Sequence, residues 1–308
     1  MADVQTPSET ETDEQPEPQA DPADARQPAW WRVSKRVLGY SLLLFFAFIF
    51  IFPFMLAIIT SFKTQPEATQ APLDLIPSPA TMRAWAEEIF GSGQVNFPRW
   101  TFNSFFITFI VTVGRILLDS MAGYALARLK FPGRQIVFAV IVSTLAIPAI
   151  VLAIPRFIVL GTLGMLNSYS GMAVPLAVDA FGIFLMKQFF ESIPREMEEA
   201  AKVDGATVFQ TFWRVVLPLA APGLIALTIL SFQGAWNEFL HYLIAAPADQ
   251  SLRTLTVGLA LLRGSQGQGL DFPVLMGASI LTTVPVAIIF FVFQRYFIQG
   301  VAATGVKG

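Results

Sequence analysis

The sequence predicts an all-α membrane protein of six transmembrane helices, and three observations carry that prediction. Hydrophobic residues fill 54% of the 308 positions and charged residues only 14%, too little charge to solvate the surface of a water-soluble domain. Six apolar runs recur along the chain, each near the roughly twenty residues that a helix needs to cross hydrocarbon. Lysine and arginine are unevenly shared between the two sets of loops that these runs would separate, which is how membrane proteins fix their orientation.

The elements follow in order. Residues 1–36 open with Asp3, Glu9, Glu11, Asp13, Glu14, Glu17, Asp21 and Asp24 among interspersed prolines, so they predict a solvated, disordered acidic tail. The first apolar run begins near Val37, far from the start, and is long enough to stay in the bilayer rather than be removed as a secretory signal. Trp30 and Trp31 beside Arg32, Lys35 and Arg36 suit an anchor at the headgroups. Spans are predicted at about residues 37–60, 102–127, 136–160, 171–190, 222–245 and 274–296, within a transmembrane domain of residues 37–297. Asp179 and Lys187 make the fourth the least apolar. Thirteen of the 20 Lys and Arg fall on the side of the amino terminus, which puts both termini in the cytoplasm and residues 298–308 in a cytoplasmic tail. Two outward loops are long, one over residues 61–101 and one over about 247–272 with Gly264, Gly267 and Gly269.

The inward loop at about residues 191–221 is the most informative. It reads as two short helices and a break. Ser192 is placed to cap the first, Pro194 suits its first turn, and Glu196, Glu198 and Glu199 favour its positive end. Gly205 is placed to stop it in a left-handed conformation. Thr207 and Gln210 stand at capping-box spacing, and Phe209, Phe212, Trp213 and Val216 form an apolar stripe that Pro218 would end. With small Ala200 and Ala201 beside Glu199, the first helix suits either a grip by another protein or a bed in the headgroups.

These residues resemble a known family. Glu199, Ala200 and Ala201, followed by Asp204, Gly205, Ala206 and later Leu217, Pro218 and Leu219, resemble the EAA loop of bacterial ABC importer permeases of type I. The stretch from Phe102 to Arg134, the AWNEF run from Ala235 to Phe239 and the closing QRYFIQGVAATGVKG are similar to the carbohydrate-importing, maltose-type branch. The resemblance implies a binding-protein-dependent inner-membrane component in a bacterial cytoplasmic membrane, surrounded by lipid. It implies as partners a second permease in a heterodimer, an ABC ATPase dimer that uses ATP and Mg, and an extracytoplasmic sugar-binding protein. It also implies ATPase coupling through Glu199, Ala200, Ala201, Asp204, Gly205 and Pro218. The tail residues Gly305, Lys307 and Gly308 would reach the ATPase pair, with fraying beyond the last span as the alternative.

Other chemistries are unsupported. No lysine follows a glycine, so a phosphate-binding G-x-x-x-x-G-K-[ST] loop is missing and the ATPase must be a separate chain. One histidine and no cysteine leave no zinc helix or thiol nucleophile, so neither metal nor cofactor is expected on this chain, nor is nucleic acid as a partner. Charged groups at membrane depth cost about 2.5–3.5 kcal/mol on insertion scales and need a partner or a purpose. Arg115 and Asp119, four apart, predict an ion pair, and Lys187 a side chain that snorkels to the surface. Gln233, Asn237, Glu238 and His241 recur about once per turn in the fifth span, near Trp236, Phe239 and Tyr242. Such a stripe either lines a water-filled sugar path or bonds to a neighbouring subunit. Pro148, Pro155, Gly161 and Gly164 predict broken helices of the kind that line transporter cavities. If Asp119 neutralises Arg115, the path holds no free cation and neutral sugar is favoured over a polyol, a glycerol-phosphate ester or a peptide. An ion-driven secondary transporter is the reading from another class.

Overall fold

The computed structural model describes residues 29–91, 96–262 and 271–305. The acidic tail, the glycines of the second outward loop, Lys307 and Gly308 lie outside them. By backbone contacts the chain divides into Met1–Met55 and Leu56–Gly308.

The described part of the first unit is most of α1, Ala29–Ser61, which has no polar face between Leu42 and Ile59. The second unit begins with the end of α1 and the short α2, Gln65–Gln70. Here the first outward loop folds on itself. Buried Lys63 donates to the Ala71 carbonyl at 2.7 Å, the Glu67 carboxylate accepts from the Ser78 N–H, and a π-helical turn spans Ala84–Ile89.

The long α3, Phe97–Arg128, is the central strut. After it come α4, Arg134–Thr144, and α5, Ala153–Thr162, then α6, Tyr169–Ala173, and α7, Ala180–Ser192. Next are α8, Glu196–Val203, α9, Val208–Thr211, a π-helical turn at Phe212–Val216, and α10, Leu217–Leu219. The chain closes with α11, Ala221–Asn237, α12, Leu240–Ala245, α13, Leu255–Leu262, and α14, Phe272–Gly305. Among the described residues, four helical segments are long and apolar enough to cross a membrane. Two bent pairs, α4 with the turn and helix after it (97°) and Val208–Leu219 with α11 (82°), raise the number to six if each is one span.

The breaks have local causes. Pro148, extended at φ −60° and ψ 132°, marks the corner before α5, and Gly164 at φ +65° follows its end. Pro155 lies in the first turn of α5, where its missing N–H is harmless, and Gly161 sits inside that helix. The predicted fourth span is not one helix: α6 passes through a 3-10 turn at Val174–Leu176 before α7 restarts. The Asp179 carboxylate caps that restart, accepting from Gly182 N–H at 3.1 Å.

Three apolar clusters lie along α3. Ile107 and Val111 join Met172, Leu176 and Tyr242 in one. At the Phe97 end, Phe97 and Trp100 pack with Trp236, Leu255 and Val274. At the Arg128 end, Tyr124 and Ala127 pack with Met186, Phe190, Phe212 and Val216. Helices α3 and α7 approach through small residues, as membrane helices do where apolar side chains give no net drive to associate. A Cβ on Gly123 would lie 2.9 Å from Met186 Cβ and 3.0 Å from Lys187 N, and one on Gly182 would collide with the Asp119 carboxylate.

Gly123→Val therefore has to push α7 away. It should cost about 1–3 kcal/mol, read as a lowered thermal unfolding midpoint in detergent. Gly161→Ala, whose Cβ meets only Leu166 at 3.5 Å, should leave the midpoint unchanged.

Candidate coupling loop and polar path

The loop predicted at residues 191–221 forms as two short helices with a break at Gly205, which takes φ +80°. Its Cβ direction is open, so the glycine is demanded by backbone conformation and not by crowding. The capping box is present in both directions: Gln210 N–H donates to Thr207 Oγ1 at 3.3 Å, and Thr207 N–H to Gln210 Oε1 at 2.9 Å. Two expectations fail. Ser192 does not cap α8; it ends α7, its hydroxyl donates to the Phe189 carbonyl, and α8 starts four residues later without a side-chain cap. Pro218 does not end the second helix either, because it occupies the first turn of α10 and the chain breaks two residues on, at Ala220. Of the predicted stripe, Phe212 and Val216 are buried, whereas Phe209 is exposed.

Helix α8 has two unlike faces. Its inner face carries Ala201 and Glu198, both buried. Arg128 Nε lies 2.9 Å from Glu198 Oε1, with side chains only 5% and 10% exposed. The N–H does not aim along that line, so the contact is an ion pair and not an aligned hydrogen bond. Tyr124 donates to the other carboxylate oxygen at 3.4 Å, and Arg128 Nη2 donates to the carbonyls of Phe190 and Ile193. One guanidinium thus ties the end of α3 to the end of α7 and to α8. The outer face presents Glu199, Ala200, Asp204 and Gly205, all exposed, with Val203 88% exposed. Sequence reasoning missed Arg128, Glu198 and Tyr124. Arg128 was visible as the charge that closes an apolar span, but nothing in the spacing singles out Glu198 from Glu196 and Glu199.

The predicted polar stripe of the fifth span is broken. Helix α11 ends at Asn237 and Glu238 is extended at ψ 131°, so the four residues do not share one face. Gln233 and Asn237 stay on the exposed side with Gly234, and Asn237 Nδ2 donates to the Gln233 carbonyl at 3.0 Å. Glu238, half-buried, accepts from His241 N–H and its carbonyl accepts from Thr256. His241 is fully buried, with Nε2 3.0 Å from the Gly171 carbonyl. Trp236 is buried and donates to the Thr282 carbonyl.

Other polar groups also differ from expectation. Arg115 and Asp119 do not pair: Arg115 Nε donates to the Leu176 carbonyl at 2.8 Å, and Asp119 accepts from Asp179 N–H at 3.0 Å. Lys187 bonds both oxygens of Glu191 at 2.8 Å and sits over the Phe138 ring rather than reaching freely to the surface. In the loop predicted at about residues 247–272, the carbonyls of Ser251 and Arg253 accept from buried Asn103, which itself accepts from Tyr169. Hydrogen bonds from the Ser251 hydroxyl and N–H hold the Asp249 carboxyl below the usual carboxylate range. Gly305 is the last described residue of α14.

A membrane bundle with such a loop defines an importer permease, and comparison with known proteins agrees. Residues 119–303 match the family of binding-protein-dependent transport system inner membrane components, and the chain belongs to that family. It is similar to the arabinooligosaccharides transport system permease protein of Halalkalibacterium halodurans, 34% identical over 86% of this chain and 94% of that protein. It is also 34% identical to the sn-glycerol-3-phosphate transport system permease protein of Yersinia enterocolitica, over 81% of this chain and 90% of that one. Among solved structures it resembles a chain of a bacterial ABC transporter involved in the import of the acidic polysaccharide alginate, with a TM-score of 0.74, 25% identity, and coverage of 88% and 99%. The fold is that of an ABC importer permease.

Removing one member of the buried pair strands the other. Glu198→Ala should destabilise the loop by about 3–5 kcal/mol, whereas Arg128→Met combined with Glu198→Met should cost clearly less than the two single changes added together. Unfolding midpoints in detergent of Glu198→Ala, of the two single methionine variants and of the double variant check this.

Proposed function

We propose that the chain forms half of the translocation path of an ATP-driven importer for a carbohydrate or a close derivative. A second permease would complete the path, an ABC ATPase dimer would drive it, and an extracytoplasmic binding protein would deliver cargo. Helix α8 is the coupling helix in this reading. The observation that carries it is the division of α8 into a clamped inner face and an open outer one: Glu198 is held by Arg128, while Glu199, Ala200 and Val203 are free to enter a cleft. A helix merely resting on headgroups would not need a buried ion pair to fix its direction. The α8 end of the bundle is cytoplasmic on this reading, as the charge distribution favours. The relatives' cargoes, arabinooligosaccharides, glycerol-3-phosphate and alginate, support a carbohydrate-like substrate.

Glu199→Lys and Gly205→Val test the coupling role. The first reverses a charge able to make a charge-assisted bond worth about 1.5–3 kcal/mol. The second forces a β-branched residue to φ +80°, at about 1–3 kcal/mol. Both variants should insert normally yet lose ATPase co-purification or uptake of cargo. Wild-type values of both measurements would remove α8 as the coupling element.

A second measurement separates this reading from an ion-driven transporter. Reconstituted alone in vesicles, the permease should move no solute down a proton or sodium gradient, and transport should require the ATPase, the second permease and the binding protein. Gradient-driven uptake by the single chain would overturn the proposal.

A further inference from the structure

The charge of the path is decided by Arg115. Arg115 and Asp119 lie near enough for their charges to act on one another, but they form no ion pair, and one oxygen of Asp119 serves a backbone group instead. Asp119 is fully buried, one oxygen accepts from Asp179 N–H, and it stands with Asp179 at the start of α7, where the helix dipole favours negative charge. Arg115 spends only Nε, on the Leu176 carbonyl. Among the described residues neither Nη makes a hydrogen bond and no carboxylate is within ion-pair distance of it.

The free end of this guanidinium has a definite direction. A Cβ on Gly234 would lie 3.5 Å from Arg115 Nη1, so the side chain reaches the bare backbone of α11. Gly234 is exposed, and Gln233 and Asn237, one and three residues away, expose their amides on the same side of that helix. Among the described residues the Gln233 amide and the Asn237 side-chain oxygen make no hydrogen bond. Arg115 stands 13 residues before the end of α3, and Gly234 13 residues after the start of α11. Both are thus about 20 Å from the α8 end of the bundle at 1.5 Å per residue. That depth is inside the hydrocarbon region, beyond the reach of lipid headgroups at that end. A forked donor with two unused amino groups beside two amides is suited to a planar or tetrahedral oxyanion carried on a hydroxylated body.

We propose that Arg115, with Gln233 and Asn237, forms an anion subsite in the translocation path, and that the cargo is a sugar or polyol derivative bearing a phosphate or carboxylate group. This rests on the importer reading and narrows it. The missing side chain at position 234 leaves room for the cargo group to meet the guanidinium. The amides would bond the neighbouring hydroxyls.

The test uses the complete importer in vesicles, with Arg115→Gln and Arg115→Lys beside wild type. The probes are sn-glycerol-3-phosphate, a galacturonate trisaccharide and neutral arabinotriose. Wild type should carry or be competed by one of the anionic probes and not by arabinotriose. Arg115→Gln should lower that uptake about tenfold or more, the factor equivalent to ~1.4 kcal/mol, while co-purification of both partner subunits is kept and Arg115→Lys recovers part of the rate. Uptake of arabinotriose alone, or anionic uptake unchanged in Arg115→Gln, would overturn the subsite and leave the importer reading standing. Loss of the second permease from purified Arg115→Gln would also overturn it, since Arg115 would then be an assembly contact. If wild type binds no ATPase and moves no probe, the importer reading falls and the subsite with it.

Discussion

Every polar backbone group that a broken helix exposes at membrane depth has to be satisfied by the protein, because lipid offers no partner. That constraint accounts for most of the buried polar chemistry in this chain. Between α6 and α7 the helix is interrupted, and the interruption is mended from α3: Arg115 takes the Leu176 carbonyl and Asp119 takes the Asp179 N–H. Asp179 in turn caps α7. Between α11 and α12 the same job falls to Thr256, which takes the Glu238 carbonyl, and to Glu238 itself, which takes the His241 N–H. His241 reaches back to the Gly171 carbonyl, joining the two broken regions. A carbonyl can only accept, so Nε2 of that histidine carries the proton.

This explains what was legible in the sequence. Periodicity and composition identify the apolar helices, because a span announces itself by length and by the absence of charge. Local rules read the loop at residues 191–221 well: Gly205 needs its left-handed conformation whatever surrounds it, and Thr207 with Gln210 closes a capping box three residues wide. The same local rules mislead where a distant backbone competes. Arg115 and Asp119 have ideal spacing for a pair within one helix, yet each bonds a group on a segment about 60 positions away, because an unmet backbone group in hydrocarbon outbids an exchangeable side-chain pair. The stripe from Gln233 to His241 fails for the same reason. A period of one turn holds only while the helix does, and the chain leaves the helix at Glu238. Glu198 was read as one of three carboxylates at a helix start, but only burial distinguishes the one that meets Arg128.

The clusters along α3 give the bundle a mechanical logic. At its Arg128 end, α3 is locked to α8 by an ion pair and to the end of α7 by two carbonyls, so a displacement of α8 cannot be absorbed at the junction. At its Phe97 end, Asn103 and Ser104 bond the segment between α12 and α13 through Ser251, Arg253 and Leu255. The helix carries Asn103 and Arg128 about 38 Å apart. Side chains of mid-helix α3 then sit on a lever fixed at both ends, not on a freely sliding rod.

The breaks decide what that lever can move. A continuous α6–α7 span would travel with α3 as a unit, whereas the 3-10 turn at Val174–Leu176 and the extended backbone at Asp179 interrupt that continuity. Arg115 lies at that joint, with Nε on the Leu176 carbonyl and Nη1 facing Gly234 of α11. Any rotation of α3 driven from α8 would carry the guanidinium relative to the exposed amides of Gln233 and Asn237. On the proposed reading, the residue that mends the broken backbone is therefore the one that would change the electrostatics of the path if α8 moved. A binding group that also serves as a structural tie changes its reach only when the tie moves, so cargo affinity and bundle conformation would be linked through a single side chain.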